Sequence, residues 1–266
     1  MRHPIRATAS RAKPARASKS AAPKWPSYGG LSQPVGVSPS GRVTVYVDPS
    51  LGLPALKNAS DLVADADRIA FANDALFGTT GGKVSVIVFA LGGVTDGTGG
   101  ADHNGCDYRV GAAIEVCASF GNSARVSALF EAELSECSMG GNLCGVSTGE
   151  ALSRKCAELV GRSALADFAT APAWAQGGMK DFVNRTDPTD QNADSTGCGI
   201  AFLSWMKRLG YSLGQIAPAM VALGDTATLA QLYAHLSSDM AANAWPKFMA
   251  AVDALPGPIT NDDPFG

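Results

Sequence analysis

The sequence predicts an α+β protein in which a small mixed sheet is followed by an all-helical C-terminal half. Two runs of apolar and β-branched residues, at 42–47 and 84–89, have the length and composition of strands. The segment between them, 61–77, has the apolar spacing of a helix. From residue 196 onward, every periodic segment is helical. Strands followed by a run of helices are typical of the α+β class.

The first half is predicted to contain three strands and one helix. Residues 42–47 alternate apolar and polar side chains, as in a half-buried strand. The helix at 61–77 is expected to begin at a Ser60 cap and to end at Gly78. Residues 84–89 form a buried strand, residues 92–105 a glycine-rich loop, and residues 106–117 a third strand.

The second half is predicted to be helical. A helix at 123–137 is separated from one at 148–160 by a turn at Gly140 and Gly141. Further helices are expected at 196–209, 212–223, 226–236 and 245–255. The long polar loop at 177–194 is expected to cover a site.

The domain boundaries follow from composition. Residues 1–41 are predicted to be a disordered basic tail and linker, and residues 42–260 a single domain, divided at 160 into an α+β half and a helical half. Residues 1–25 carry seven basic and no acidic side chains, which leaves 21 − 7 = 14 basic against 24 acidic residues in the rest. An acidic body argues against a nucleic-acid partner.

The sequence leaves the compartment open. No apolar run approaches the roughly 18 residues of a membrane span, and the tail lacks the apolar centre of a secretory signal. Six cysteines are compatible with an extracytoplasmic location, and Cys137 with Cys144 is the pair most expected to bond. With no CxxC and three histidines, a structural zinc site of the usual Cys/His spacing is not expected.

Three carboxylates in the 123–137 helix are the main functional signal. An apolar stripe through Phe130 and Leu134 places Glu133 near its middle and Glu136 on its flank, one turn away. Glu131 falls on the opposite face and is expected to be solvated. Acids on an inward face are costly and are typical of metal binding or proton transfer. The alternative for Glu133 is a structural acceptor for a backbone amide or for Arg154.

The order of elements and the string AELSE at 132–136 resemble the zincin-like metallopeptidases, in particular the glutamate-zincins. In that family strands precede a helix with the HExxH motif, and the next helix supplies a glutamate ligand. The strings AELSECSMG and GEALSR also resemble those of an uncharacterised bacterial family.

The resemblance implies a peptidase-like hydrolase with an altered or degenerate metal site. Glu133 occupies the position of the catalytic base, and Glu136 that of the second histidine ligand, whereas Ala132 stands where the first would be. Glu150 occupies the helix of the glutamate ligand, and His103 is a further candidate ligand. The set suits a hard divalent cation, whose identity and presence stay open. The alternative is a non-catalytic descendant that binds a peptide or protein in the same cleft.

Glu150 and His103 each have a simpler interpretation. Ser147 and Glu150 have the spacing of a capping box, and Glu150 with Arg154 that of an i,i+4 ion pair. His103 lies in a polar glycine-rich loop, where a surface histidine is as expected as a functional one.

A serine hydrolase is a further alternative. The segment Gly145-Val-Ser147-Thr-Gly149 matches the G-x-S-x-G nucleophile elbow, with His235 as base and Asp194 or Asp225 to orient it. That motif requires a buried strand directly before it, and the sequence predicts a helix and a turn there.

Overall fold

The computed structural model describes residues 23–105 and 112–266, which form one mixed five-stranded sheet and eight α-helices. The strands are β1 (Gln33–Val37), β2 (Val43–Val47), β3 (Val84–Phe89), β4 (Ala101–Asn104) and β5 (Ala112–Cys117). The helices are α1 (Gly52–Phe77), α2 (Ser123–Cys137), α3 (Ser147–Gly161), α4 (Ala171–Gln176), α5 (Ala193–Arg208), α6 (Leu213–Leu223), α7 (Leu229–Ser237) and α8 (Ala244–Asp253). The α+β class is confirmed.

The sheet has the order β1-β2-β3-β5-β4, with a parallel centre and an antiparallel strand at each edge. The central strand β3 is almost continuously apolar because both of its faces are covered. Val86 and Val88 join the main core with α1 and α2, and Ile87 and Phe89 pack on the other face against Trp25. The edge strand β4 pairs with one neighbour, β5, in the described sheet.

The described part of the predicted tail is structured. Residues 33–37 form β1, and Trp25 is buried beside Tyr46 on the sheet, with their ring centroids 5.2 Å apart. Glu115 of β5 holds this segment, because its fully buried carboxylate accepts hydrogen bonds from the backbone amides of Ser27 and Tyr28 at 3.0 and 2.6 Å. The prediction of a disordered linker up to residue 41 is therefore wrong for residues 23–41. Residues 1–22 lie outside the described part.

Most predicted elements are confirmed, with three differences of extent. The 84–89 strand and the 123–137 helix have the predicted bounds, and Gly78 ends α1 in the left-handed conformation. However, α1 begins at Gly52 rather than near Ser60, because Pro54 is tolerated in the first turn of a helix. The glycine-rich loop contains β4, and α4 was not predicted. Of the predicted strand 106–117, residues 106–111 lie outside the described part.

The two halves of the chain share one core through α3, which packs against α2 on one side and α5 on the other. Close approach requires small residues at both contacts. A Cβ on Gly161 would lie 2.6 Å from that of Ala128, and one on Gly199 2.8 Å from that of Ala151. This packing fixes α2 and α3 side by side at the wall of the main cavity. No helix in the described residues is long and apolar enough to cross a membrane.

Candidate active site

A cavity of about 980 Å³ lies between β4, α2, α3 and the segments before α4 and α5. Its wall includes all four candidate residues of the predicted metal site: His103, Glu133, Glu136 and Glu150. The candidates of the serine-hydrolase alternative, Ser147, His235, Asp194 and Asp225, do not line it. The loop that was predicted to cover a site contributes Asp190 and Gln191 to the wall.

Two of the three carboxylates of α2 lie where they were predicted, and the third does not. Glu133 and Glu136 do face the cavity. Glu131, which was predicted to be solvated, is instead completely buried at 0% exposure. The prediction fails because 12 of the 15 residues of α2 are buried, so the helix has no wet face. Neither carboxylate oxygen of Glu131 has a hydrogen-bond partner among the described residues.

His103 meets Glu136 at the inner end of the cavity. It is carried by β4 rather than by a flexible loop, and its Nε2 lies 3.2 Å from Oε2 of Glu136. The other ring nitrogen, Nδ1, lies 3.2 Å from the backbone oxygen of Gly105. Both side chains of the pair are only 10% exposed. The surface interpretation of His103 is therefore wrong.

Glu150 lines the same cavity wall from α3. Its Oε1 accepts a 2.6 Å hydrogen bond from Nε of Arg154. The predicted i,i+4 ion pair is thus confirmed. The capping box is not, because Val146 is the N-cap residue and Ser147 already lies in the first turn without a side-chain cap.

Burial and mutual contact change the pKa values of all four groups. Burial alone would lower the pKa of His103, but hydrogen bonds with Cys137 and Glu136 raise it to about 11. Burial and the charge of Glu136 raise the pKa of Glu133 well above its ordinary value. Burial also raises the pKa of Glu150 to about 7, against the effect of Arg154. The pKa of Glu136 is lowered despite its burial, because the hydrogen bond with His103 and the charge of His103 favour the ionised carboxylate.

The cysteines near the site do not pair as predicted. Cys137 is a free buried thiol that lies 3.4 Å from the backbone oxygen of Gly105. Cys144 is disulfide-bonded, so the predicted Cys137–Cys144 bond is wrong. The Sγ of Cys144 lies 3.8 Å from Nε2 of His103. A sulfur engaged in a disulfide is not a thiolate, and it is a poor metal ligand in this state.

Three donor atoms lie close together on the cavity wall. A ring nitrogen of His103, a Glu136 oxygen and Cys144 Sγ all lie within 4.8 Å of one another. Glu150 lines the same wall but is not part of that group. With Cys144 in a disulfide, His103 and Glu136 are therefore the donors that the structure brings together. Their 3.2 Å separation is that of a hydrogen bond, and it is also compatible with two ligands of one tetrahedral metal, which stand about 3.3 Å apart.

The serine-hydrolase alternative requires a strand directly before Ser147, and the structure has a turn there. Ser147 is 3% exposed and follows a turn at Cys144 and Gly145 rather than a strand. His235 is exposed on α7, and no hydrogen bond in the described part joins it to Ser147. Gly149 has a packing role, because a Cβ there would lie 2.0 Å from the backbone oxygen of Leu143. The glycine spacing therefore reflects a close backbone contact.

Three further parts of the wall were not among the predicted site residues. Asp102 precedes His103 in a strand that was predicted to be a loop. Thr196 lies in the first turns of α5, and Asp262 and Asp263 come from beyond the predicted domain boundary. The acidic character of residues 262–263 was the only available signal, and a polar pair at that position is equally typical of a surface.

Comparisons with known proteins give a distant structural likeness. No family model matches the chain, and no curated protein matches it. Among solved structures, native yeast LTA4 hydrolase is similar at a TM-score of 0.42 and 13% identity, over 85% of this chain and 38% of that one. Yeast LTA4 hydrolase in complex with Bestatin is similar at the same TM-score and 12% identity, with the same coverage. The chain thus spans well under half the length of that protein.

Proposed function

We propose that the protein is a metal-dependent hydrolase of peptide or amide bonds, with an altered ligand set. His103, Glu136 and Glu150 would hold a divalent cation, and Glu133 would act as the general base. The observation that carries the proposal is that His103 of β4 and Glu136 of α2 lie 3.2 Å apart on the wall of a large cavity, which Glu133 and Glu150 also line.

The chemistry of the donors supports a cation rather than a purely structural cluster. Burial and the charge of Glu136 raise the pKa of Glu150 to about 7, so the two carboxyl groups lie near enough to repel each other, and a proton or a cation would relieve that repulsion. Two carboxylates and one imidazole give a set that suits Mn, Mg, Ca or Zn. Arg154 competes for Glu150, so occupancy would require the 2.6 Å ion pair to lengthen.

The roles of the chain's own residues follow from their positions. A bound cation would polarise the scissile carbonyl and make an attacking water more acidic. Glu133 would accept the proton of that water and later donate it to the leaving amine. Its desolvated site, which raises its pKa, makes it a stronger base than a carboxylate in bulk water. Arg154, once released from Glu150, would face the developing negative charge.

The edge of β4 supports a peptide as the substrate. Gly100, Ala101, Asp102 and His103 all line the cavity, and β4 has no second neighbour in the described sheet. Unpaired backbone groups at a strand edge bind extended peptides by adding a strand. A peptide bound there would run past His103 and Glu133.

The second candidate is a non-catalytic peptide-binding protein that uses the same edge. It is favoured by the partners already present: His103 with Glu136, and Arg154 with Glu150, which satisfy the charges without any metal. Ala132 also removes one ligand that the HExxH pattern would provide.

Metal content separates the two candidates. The full chain would be freed of metal with a chelator, dialysed against Zn, Mn, Mg or Ca, and measured by elemental mass spectrometry. We expect about one ion per chain, lost in Glu136→Ala and kept in Glu133→Gln. Glu131→Gln, the same kind of change on the other side of α2, is the matched control and should keep the ion. No bound metal in the unmodified chain would reject the hydrolase and favour the binding protein.

A further inference from the structure

The cysteines of the described part are in two chemical states. Four of them are free thiols, and all four are buried: Cys117, Cys137, Cys156 and Cys198. Cys144 is instead disulfide-bonded and only partly buried, and it lies in the turns at 138–146 between α2 and α3. Domains that depend on disulfides for their stability are dense in them. The bond at Cys144 is therefore not part of a general disulfide scaffold.

Cys144 lies beside the pair formed by His103 and Glu136. Its Sγ is 3.8 Å from Nε2 of His103, and the same nitrogen is 3.2 Å from Oε2 of Glu136. One donor atom from each of the three residues lies within 4.8 Å of the other two. Ligands of one tetrahedral zinc ion stand about 3.6 Å apart for sulfur and nitrogen, and about 3.3 Å apart for nitrogen and oxygen. The two measured distances are close to these values, so these atoms need to move little to share one ion.

The oxidation state of Cys144 decides whether a third ligand is present. A disulfide sulfur carries no negative charge, whereas a thiolate is a strong zinc ligand. His103 and Glu136 supply two ligands, and catalytic zinc sites use three protein ligands with a fourth position for water. A thiolate at Cys144 would complete that number. Glu150 could then keep its 2.6 Å ion pair with Arg154.

The bond at Cys144 is accessible to a reductant. Cys144 is partly exposed, and Asn142 and Gly145 on either side of it are exposed. Exposed disulfides are more readily reduced than buried ones, because a thiolate must reach one of the two sulfurs. A small dithiol can therefore attack this bond without unfolding of the chain.

We propose that Cys144 is a redox-controlled metal ligand: reduction of its disulfide yields a thiol that completes a zinc site with His103 and Glu136. The reductant is a dithiol, which loses two electrons and two protons and forms a disulfide of its own. The bond at Cys144 breaks, and each of its two sulfurs gains one proton. Zinc then displaces the proton of the Cys144 thiol, which passes to solvent. The inference rests on the proposed function for His103 and Glu136 as ligands, and it adds the third ligand and the regulation of that site.

The test compares zinc binding by the oxidised and the reduced full chain. Protein freed of metal is either left oxidised or reduced with a dithiol that is then removed under argon, and zinc affinity is measured by competition with a chromophoric chelator. We expect the reduced chain to bind about one zinc ion at least about tenfold more tightly. Binding of magnesium and calcium should not respond to reduction, because these cations prefer oxygen ligands. Equal zinc affinity in the two states would overturn the proposal.

The variant Cys144→Ser separates the loss of the disulfide from the gain of the thiolate, because it lacks both. After treatment with the dithiol it should bind zinc no more tightly than the oxidised unmodified chain. Cys198→Ala removes a buried free thiol outside the cavity wall, so it is the control and should keep the response to reduction. If reduced Cys144→Ser binds zinc as tightly as the reduced unmodified chain, Cys144 is not the ligand.

Cobalt(II) in place of zinc reports the ligand directly. A bond between cobalt and a thiolate gives a charge-transfer absorption in the near ultraviolet, which nitrogen and oxygen ligands do not give. We expect this absorption in the reduced chain and in reduced Cys198→Ala, but not in the oxidised chain or in Cys144→Ser. A reduced chain that binds cobalt without this absorption would reject coordination by the thiolate, whatever the affinity.

Cleavage of fluorescence-quenched peptides is measured separately, so the two proposals can fail independently. Zinc binding that requires reduction, without any cleavage, would leave the assignment of Cys144 in place and reject the hydrolase. Metal binding and cleavage that are the same in the oxidised chain, the reduced chain and Cys144→Ser would support the hydrolase with Glu150 as a ligand. That result would reject the redox-controlled ligand.

Discussion

The carboxylates on the two sides of α2 differ in whether they have interaction partners. On the cavity side, Glu136 pairs with His103 at 3.2 Å, and Glu133 lines the cavity. On the core side, Glu131 is more deeply buried, at 0% exposure, and neither of its oxygens has a partner in the described residues. One helix therefore carries both a connected polar cluster and an isolated buried acid.

A buried acid outside α2, Glu115, completes the comparison. It is as fully buried as Glu131, but it accepts hydrogen bonds from Ser27 and Tyr28 and so ties the N-terminal segment to the sheet. Depth of burial alone therefore does not distinguish a functional acid from a structural one. The partners do: backbone amides indicate a structural role, a second titratable group beside a cavity indicates chemistry, and no partner at all indicates a site that stays protonated.

The largest effect that separates the sides of α2 is expected on catalysis. Glu133→Gln keeps the shape of the side chain but removes the proposed base, so we expect hydrolysis of a mixture of fluorescence-quenched peptides to fall about 10²–10⁴-fold. The melting temperature should not fall, because the buried carboxyl of Glu133, whose pKa is raised, is replaced by a neutral group. Glu131→Gln should retain full activity. Equal losses in both variants would mean that the two sides do not differ in function.

The next effect is on stability at the sheet. Glu115→Ala removes the acceptor of three hydrogen bonds and leaves the amides of Ser27 and Tyr28 without partners, so we expect a loss of about 3 kcal/mol in the free energy of unfolding. Denaturant unfolding measures it. Glu115→Gln retains one acceptor oxygen and should lose about 1 kcal/mol. If both variants unfold like the unmodified chain, the N-terminal segment is not held by this carboxylate.

Features of these regions were predictable from the sequence where they depend on nearby residues, and not where they depend on distant elements. The bounds of α2 and β3 were predictable because apolar periodicity and adjacent glycines act within a few residues. The inward direction of Glu133 and Glu136 followed from the same periodicity. The burial of Glu131 did not, because it depends on which other elements enclose α2, and a helical wheel describes one helix alone. Edge strand β4 was not predicted, for a similar reason. Its four residues, Ala-Asp-His-Asn, have no strand propensity, and pairing with β5 creates the strand.

The site was predictable in membership but not in geometry. The resemblance in sequence brought Glu133, Glu136, Glu150 and His103 together as candidates, and the structure places all four on one cavity wall. Of the simpler interpretation of Glu150, the ion pair with Arg154 is confirmed and the capping box is wrong, since α3 begins one residue earlier than the box requires. The part of the wall with Asp190 and Thr196 was not predictable in detail, because it is brought to the cavity from a segment far in sequence from β4, α2 and α3.

The smallest effect concerns Glu131 and depends on pH. Burial raises its pKa in the folded protein well above the ordinary value, so the folded chain keeps a proton that the unfolded chain gives up above about pH 4.5. Each increase in pH beyond that point favours the unfolded state, up to the folded pKa. Glu131→Gln cannot ionise and should escape this loss. We expect its melting temperature to exceed that of the unmodified chain by about 2–4 °C at pH 8 and to approach it near pH 5, measured by calorimetry. A difference that is constant between these pH values would mean that Glu131 is already ionised in the fold, and the contrast between the two sides of α2 would then be one of partners and not of charge.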